Sequence, residues 1–65
     1  MTIRSLAKKL APTEEVLIGS YICNMFFNWE TKTVAEIVNS DSKYYDESDI
    51  QDWFLAKDEK FVFIV

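Results

Sequence analysis

The chain has 65 residues, 49% hydrophobic and 15% aromatic, and its seven Lys or Arg against eleven Asp or Glu leave a formal charge of −4 with no histidine. This charge argues against direct contact with nucleic acid backbones or anionic membranes. The missing histidine removes the usual general base and zinc ligand, and a single cysteine makes no internal disulfide. Residues 1–65 suffice for one compact domain, which buries about 60% of the surface its unfolded chain exposes.

Thr2 is placed to cap a first short helix in which Ile3, Leu6 and Leu10 share one face and Arg4 and Lys8 stack on another. With Lys9, these cations read as a solvated helix face. Ala11–Pro12 ends the helix, because the residue before proline avoids the helical region. Thr13 then opens a longer predicted helix with Glu14 and Glu15 in its first turn. Its apolar residues from Val16 to Phe27 cover nearly the whole circumference and leave only a stripe of Ser20, Asn24 and Asn28. A helix that apolar belongs at the centre of the core or of a dimer. The stretch Tyr21–Trp29 also has the aromatic and β-branched residues of a strand, but its length and the Pro-Thr-Glu-Glu entry favour helix. Cys23 within it reads as a buried, reduced thiol.

Trp29, Thr31 and Thr33 alternate with Glu30 and Lys32 as in a short strand. Thr33 and Glu36 make a capping box that starts a helix to Asn39 or Ser40. Asp41–Glu47 reads as a polar loop. Ser48 and Gln51 make a second box, starting a helix through Ala56 with Ile50, Trp53 and Phe54 inward. Lys57–Lys60 is a turn, and Phe61–Val65 is an apolar strand that needs a neighbour. That neighbour is Trp29–Thr33 or the same strand of a second subunit. The expected fold is α+β but mainly α: four short helices around a central apolar helix, with a small two-stranded antiparallel sheet ending in the C-terminal strand. The element order is reminiscent of a winged helix. The expected core is Leu6, Leu10, Ile18, Ile22, Phe26, Val34, Ile37, Ile50, Trp53, Phe61 and Phe63.

Nothing in this residue set names a reaction, so no enzyme activity or cofactor is expected. A carboxylate pair would need a deep cleft, and one glycine cannot build a phosphate-cradling loop. A calcium loop begun at Asp41 reaches Asp52 at its twelfth position, but Lys43 and Tyr45 fall on ligand positions and Asp46 replaces the required glycine. No metal site is expected. The apolar run Val16–Phe27 falls short of the roughly 20 residues of a membrane span, and Met1–Leu10 lacks the apolar region of a signal peptide. A cytoplasmic protein is expected.

The acidic last third is the functional signal. Asp41, Asp46, Glu47, Asp49, Asp52, Asp58 and Glu59 are opposed there only by Lys43, Lys57 and Lys60. Charge near a helix N-terminus and solubility account for part of this. Tyr44 and Tyr45 are adjacent in a polar segment, so at least one points outward and supplies contact area. The predicted partner-binding residues are Asp41, Tyr44, Tyr45, Asp46, Glu47, Asp49, Asp52, Asp58 and Glu59. They suit a small acidic protein-interaction module that inhibits a partner by occupying its basic, nucleic-acid-binding surface, with carboxylates in place of phosphates. Such DNA mimicry fits a phage protein aimed at a host nucleic-acid or defence complex, in the manner of an anti-CRISPR. The alternative is a small dimeric DNA-binding transcriptional regulator of winged-helix type, with Arg4, Lys8 and Lys9 on phosphates. A third reading is a structural subunit. A homodimer would form through the apolar second helix or the C-terminal strand.

Overall fold

The uncharged stretch from Val16 to Trp29 is a β-hairpin rather than a helix. In the computed structural model, which describes residues 1–65, β1 (Glu15–Ile22) and β2 (Met25–Thr33) pair antiparallel around a two-residue turn. Cys23 and Asn24 have φ of 52° and 65°, the pair of left-handed residues found in a type I′ turn, whose twist matches that of the strands. Cys23 is therefore exposed at the hairpin tip instead of buried. The central helix fails for a physical reason: apolar all round, it would need enclosure on every side. A strand pair needs cover on one face, and Val16 and Ile18 obtain it while Leu17 between them does not.

Two of the local capping signals hold. Thr2 caps α1 (Ile3–Ala7): its hydroxyl accepts from the Ser5 N–H at 3.2 Å, and its own N–H donates to Ser5 Oγ at 2.9 Å. Thr33 caps α2 (Val34–Val38) in the same reciprocal way with Glu36. The Thr33 N–H bonded to the Glu36 carboxylate holds that group below its ordinary range. The expected polar loop contains one helical turn, α3 (Tyr44–Glu47).

The box at Ser48 opens no helix. Ser48 is extended, with ψ of 118°, because its neighbourhood is claimed by the N-terminus. The Ile3 N–H donates to the Ser48 carbonyl at 3.2 Å, and the Ile50 N–H donates to the Met1 carbonyl at 2.7 Å. The chain continues instead into β3 (Asp52–Leu55), which pairs antiparallel with β4 (Phe61–Ile64). The sheet order is β2-β1-β4-β3, with β1 and β4 parallel. The apolar C-terminal strand thus has a neighbour on each side. It pairs neither with Trp29–Thr33 nor with a second chain, and an apolar strand in that position needs no further protection.

These findings correct the mainly α expectation. The chain is 22% helical and 42% strand, with a four-stranded mixed sheet and three short helices. The winged-helix order disappears with the helix expected at Asp49–Ala56. Ile3, Leu6, Ala7, Val16, Ile18, Val34, Ile37, Tyr45 and Phe63 form the core, with Leu10, Val38, Ile50, Phe61 and Val65 packed against it. Ile22 and Trp53, expected inside, are exposed, and Phe26 is only half-buried and outside this cluster.

The turn between β3 and β4 places Glu59 at φ 67°. An L-residue there costs roughly 1–2 kcal/mol that glycine avoids. Glu59→Gly is expected to raise stability by about 1 kcal/mol, seen as a melting point about 4–8 °C higher.

Candidate functional site

Strand register sorts the sheet residues onto two faces, since directly opposed residues share one. Val16, Ile18, Phe61 and Phe63 are on the face covered by helical residues. Leu17, Gly19, Val62 and Ile64 alternate with them and fall on the other. Phe54 opposite Val62, Asp52 opposite Ile64 and Thr31 opposite Leu17 join that second face. Towards the hairpin tip Tyr21 pairs with Phe26, their rings 5.6 Å apart and edge-on. The core cluster, which holds all the buried helical residues, includes none of these side chains.

At the far edge, β3 extends past the cover. All four of its residues are exposed, with Trp53 at 46% and Leu55 at 56%. Trp53 leans on Phe61 at 6.1 Å between ring centroids. Asp52 accepts the Trp53 N–H at 2.9 Å through Oδ1. Beyond the strand, Asp58 Oδ1 accepts the Lys60 N–H at 3.2 Å, and Glu59 is exposed beside it.

The predicted site residues separate into engaged and free groups. Asp46 binds Arg4, with Nε at 2.7 Å from Oδ1. Asp49 lies 3.7 Å from the terminal amine of Met1. The third ion pair joins Lys60 and Glu15. Asp41, Glu47, Asp52, Asp58 and Glu59 are exposed and have no cation partner. Tyr44 is exposed, whereas Tyr45 is 3% exposed and donates its hydroxyl hydrogen to the Glu30 carboxylate. Tyr45 is a core residue and not a contact residue, because α3 turns its ring under α1 and towards β2. The free residues form two groups, Asp41, Tyr44 and Glu47 around α3 and Asp52, Asp58 and Glu59 around β3. Asp52 and Asp58 stand more than about 10 Å apart along the strand.

Burial, and then the bond to Glu30, pushes the Tyr45 phenol well above its ordinary value of 10.0. Below pH 10 the phenol is protonated in folded and unfolded chains alike, and its contribution is fully present. Above pH 10 the unfolded phenol ionises first, so that contribution is lost as the pH rises towards the folded value. Tyr45→Phe is expected to cost about 1.5–3 kcal/mol at neutral pH and to flatten the loss of stability above pH 10. Urea titrations of both chains across that range check this.

Sequence reasoning missed Tyr21, Ile22, Met25, Phe27, Trp53, Phe54 and Leu55 as surface residues, because each lay in a segment read as helix, and Trp29, read as strand, was given no face. The available signal was Cys23-Asn24 between two apolar runs, a hairpin cue hidden by the absence of glycine. A half-open groove of about 300 Å³ between α1 and α2 is lined mainly by Ala7, Leu10, Pro12, Val34 and Val38, and Lys8 is its one ionisable residue. No three His, Cys, Asp or Glu side chains converge where a cation would sit. No helix is long and apolar enough to cross a membrane. No family model, curated protein or solved structure matches the chain.

Proposed function

We propose that the chain is a non-enzymatic, cytoplasmic recognition module that docks on the basic surface of a partner protein and inhibits it by covering a nucleic-acid-binding site. The observation that carries this reading is the set of exposed carboxylates, Asp41, Glu47, Asp52, Asp58 and Glu59, that no cation of the same chain neutralises. Unpaired carboxylates attract Lys and Arg and speed encounter with a basic groove. Trp53, Phe54 and Leu55 stand exposed on the strand between Asp52 and the Asp58–Glu59 turn. Large side chains of that kind supply the contact area charge alone lacks. An inhibitor borne by a phage against a host nucleic-acid or defence complex is the setting that size and charge suit.

The DNA-binding alternative loses ground on one observation. Arg4, the first cation it would use, is spent on Asp46 and on backbone carbonyls, which leaves Lys8 and Lys9 as too few phosphate contacts.

The test is binding to a Lys/Arg-lined nucleic-acid enzyme with duplex DNA as competitor. Competition is expected, together with weakening by salt. Asp52→Lys combined with Asp58→Lys is expected to weaken binding at least about tenfold, equivalent to about 1.4 kcal/mol. Binding undiminished by DNA would remove the mimicry reading.

A further inference from the structure

We infer that the open sheet face is a homodimer interface on which two copies of this chain pack sheet against sheet. The face is built from Leu17, Tyr21, Phe26, Phe54, Val62 and Ile64, which the register brings to one side. Val62 and Ile64 are only 5% and 8% exposed although no helix residue of the core cluster joins them. They lie between Leu17 and Gly19 of β1 and Phe54 and Asp52 of β3, and form the floor of the face. Two such floors pack about 10 Å apart with their side chains interleaved.

Charge decides between a second copy and the basic partner proposed above. From Val16 to Trp29 the chain has no charged residue. On the face itself Asp52 stands at the outer strand, and Glu15 at the opposite end is neutralised by Lys60 at 3.4 Å. A basic surface finds almost nothing here to attract it. Of the five unpaired carboxylates only Asp52 lies on this face, so two copies at −4 each bring few like charges together when the floors meet. Asp41, Tyr44 and Glu47 on α3 and the Asp58–Glu59 turn stay outside the contact. A dimer therefore displays two copies of these residues, with Asp52 at the rim of the contact.

Area sets the strength. With about 150–250 Å² in an aromatic side chain, the exposed parts of Tyr21, Phe26 and Phe54 with Leu17 offer roughly 300 Å² per copy. Two copies with the bordering threonines reach roughly 700–800 Å², short of the ~1,000 Å² that a stable specific interface needs. That is the scale of a weak, concentration-dependent dimer.

Sedimentation of the full chain from about 1 μM to about 1 mM tests this. The expected mass rises from 7.6 kDa to twice that value. Phe54→Asp and Tyr21→Asp should each move the midpoint at least tenfold, whereas Glu47→Lys should leave it in place. Both target side chains are exposed, and near-ultraviolet dichroism confirms that each variant is folded. Independently of any variant, a mixture of differently labelled wild-type copies should give intermolecular NMR contacts between the Tyr21 or Phe26 rings and the Val62 or Ile64 methyls. A monomer throughout, a dimer unmoved by both substitutions, or the absence of those contacts overturns the inference.

Discussion

Arg4→Ala is expected to remove about 3–5 kcal/mol of stability, from leaving the partly buried carbonyls of Ile37, Val38 and Ser40 without their donor at about 1–3 kcal/mol each. Per-residue averages give a domain of this length only about 3–10 kcal/mol in total, so the loss is a large share of its stability. The Arg4 side chain is 12% exposed and reaches three segments at once. Nη1 donates to the carbonyls of Ile37, Val38 and Ser40 at 3.0, 3.0 and 2.7 Å. Nη2 donates to the Ser42 carbonyl at 2.8 Å and to Asp46 Oδ2 at 3.2 Å. The guanidinium carbon also stands 5.9 Å from the centre of the Tyr45 ring. One side chain thus closes the C-terminal end of α2, fixes the loop after it and anchors α3. Without it, those carbonyls lose their donor and Asp46 its partner.

Arg4→Lys separates charge from geometry. It keeps the cation but replaces a five-donor planar fork with a three-donor point charge. It should lose about half as much, roughly 2 kcal/mol, since most of the bonds go to neutral carbonyls. Urea unfolding of the two variants beside the wild type measures both. An Arg4→Ala chain within 1 kcal/mol of wild type would show that the network does not hold these elements together.

Gly19→Ala is expected to cost about 3 kcal/mol, at the upper end for an added methyl group in a packed site. The glycine is not needed for an unusual φ, since no glycine has a positive one. It is needed for closeness. A Cβ at Gly19 would lie 2.0 Å from the Phe27 carbonyl oxygen and 2.9 Å from Phe26 Cζ. The register of β1 and β2 shifts between Ile18 and Gly19, and such a bulge bends one strand across the other. An alanine there must push the strands apart where Phe26 crosses. The melting temperature should fall by roughly 12–24 °C. Amide exchange should accelerate between Ser20 and Phe27 before it does in β4, because the hairpin tip extends past its pairing with the rest of the sheet. Equal protection in the variant would place the strain elsewhere.

The same two residues show how far a sequence can be read. Arg4 beside Lys8 suggests a solvated face, yet its partner Asp46 lies 42 residues away. Gly19 is one apolar-helix residue among many until a second strand is laid against it. Trp53 is placed inside by the spacing of a helix that never forms, since residues Met1–Ile3 capture the backbone of Ser48–Ile50. One of Tyr44 and Tyr45 does point outward, but only the position of α3 chooses which.

Local chemistry wrote some of the outcome into residues a few positions apart. The Thr2 and Thr33 caps, the terminal apolar strand and the acidic surplus all rest on near neighbours or on composition, and they survive folding unchanged, whereas the first helix stops at Ala7, short of Pro12. The choice of strand over helix from Val16 to Trp29, the seat of the last strand between two others and the burial of each aromatic ring were set by packing. Those outcomes depend on which distant backbone completes a hydrogen-bond ladder and which surface is left to cover an apolar side chain. A window along the chain contains neither.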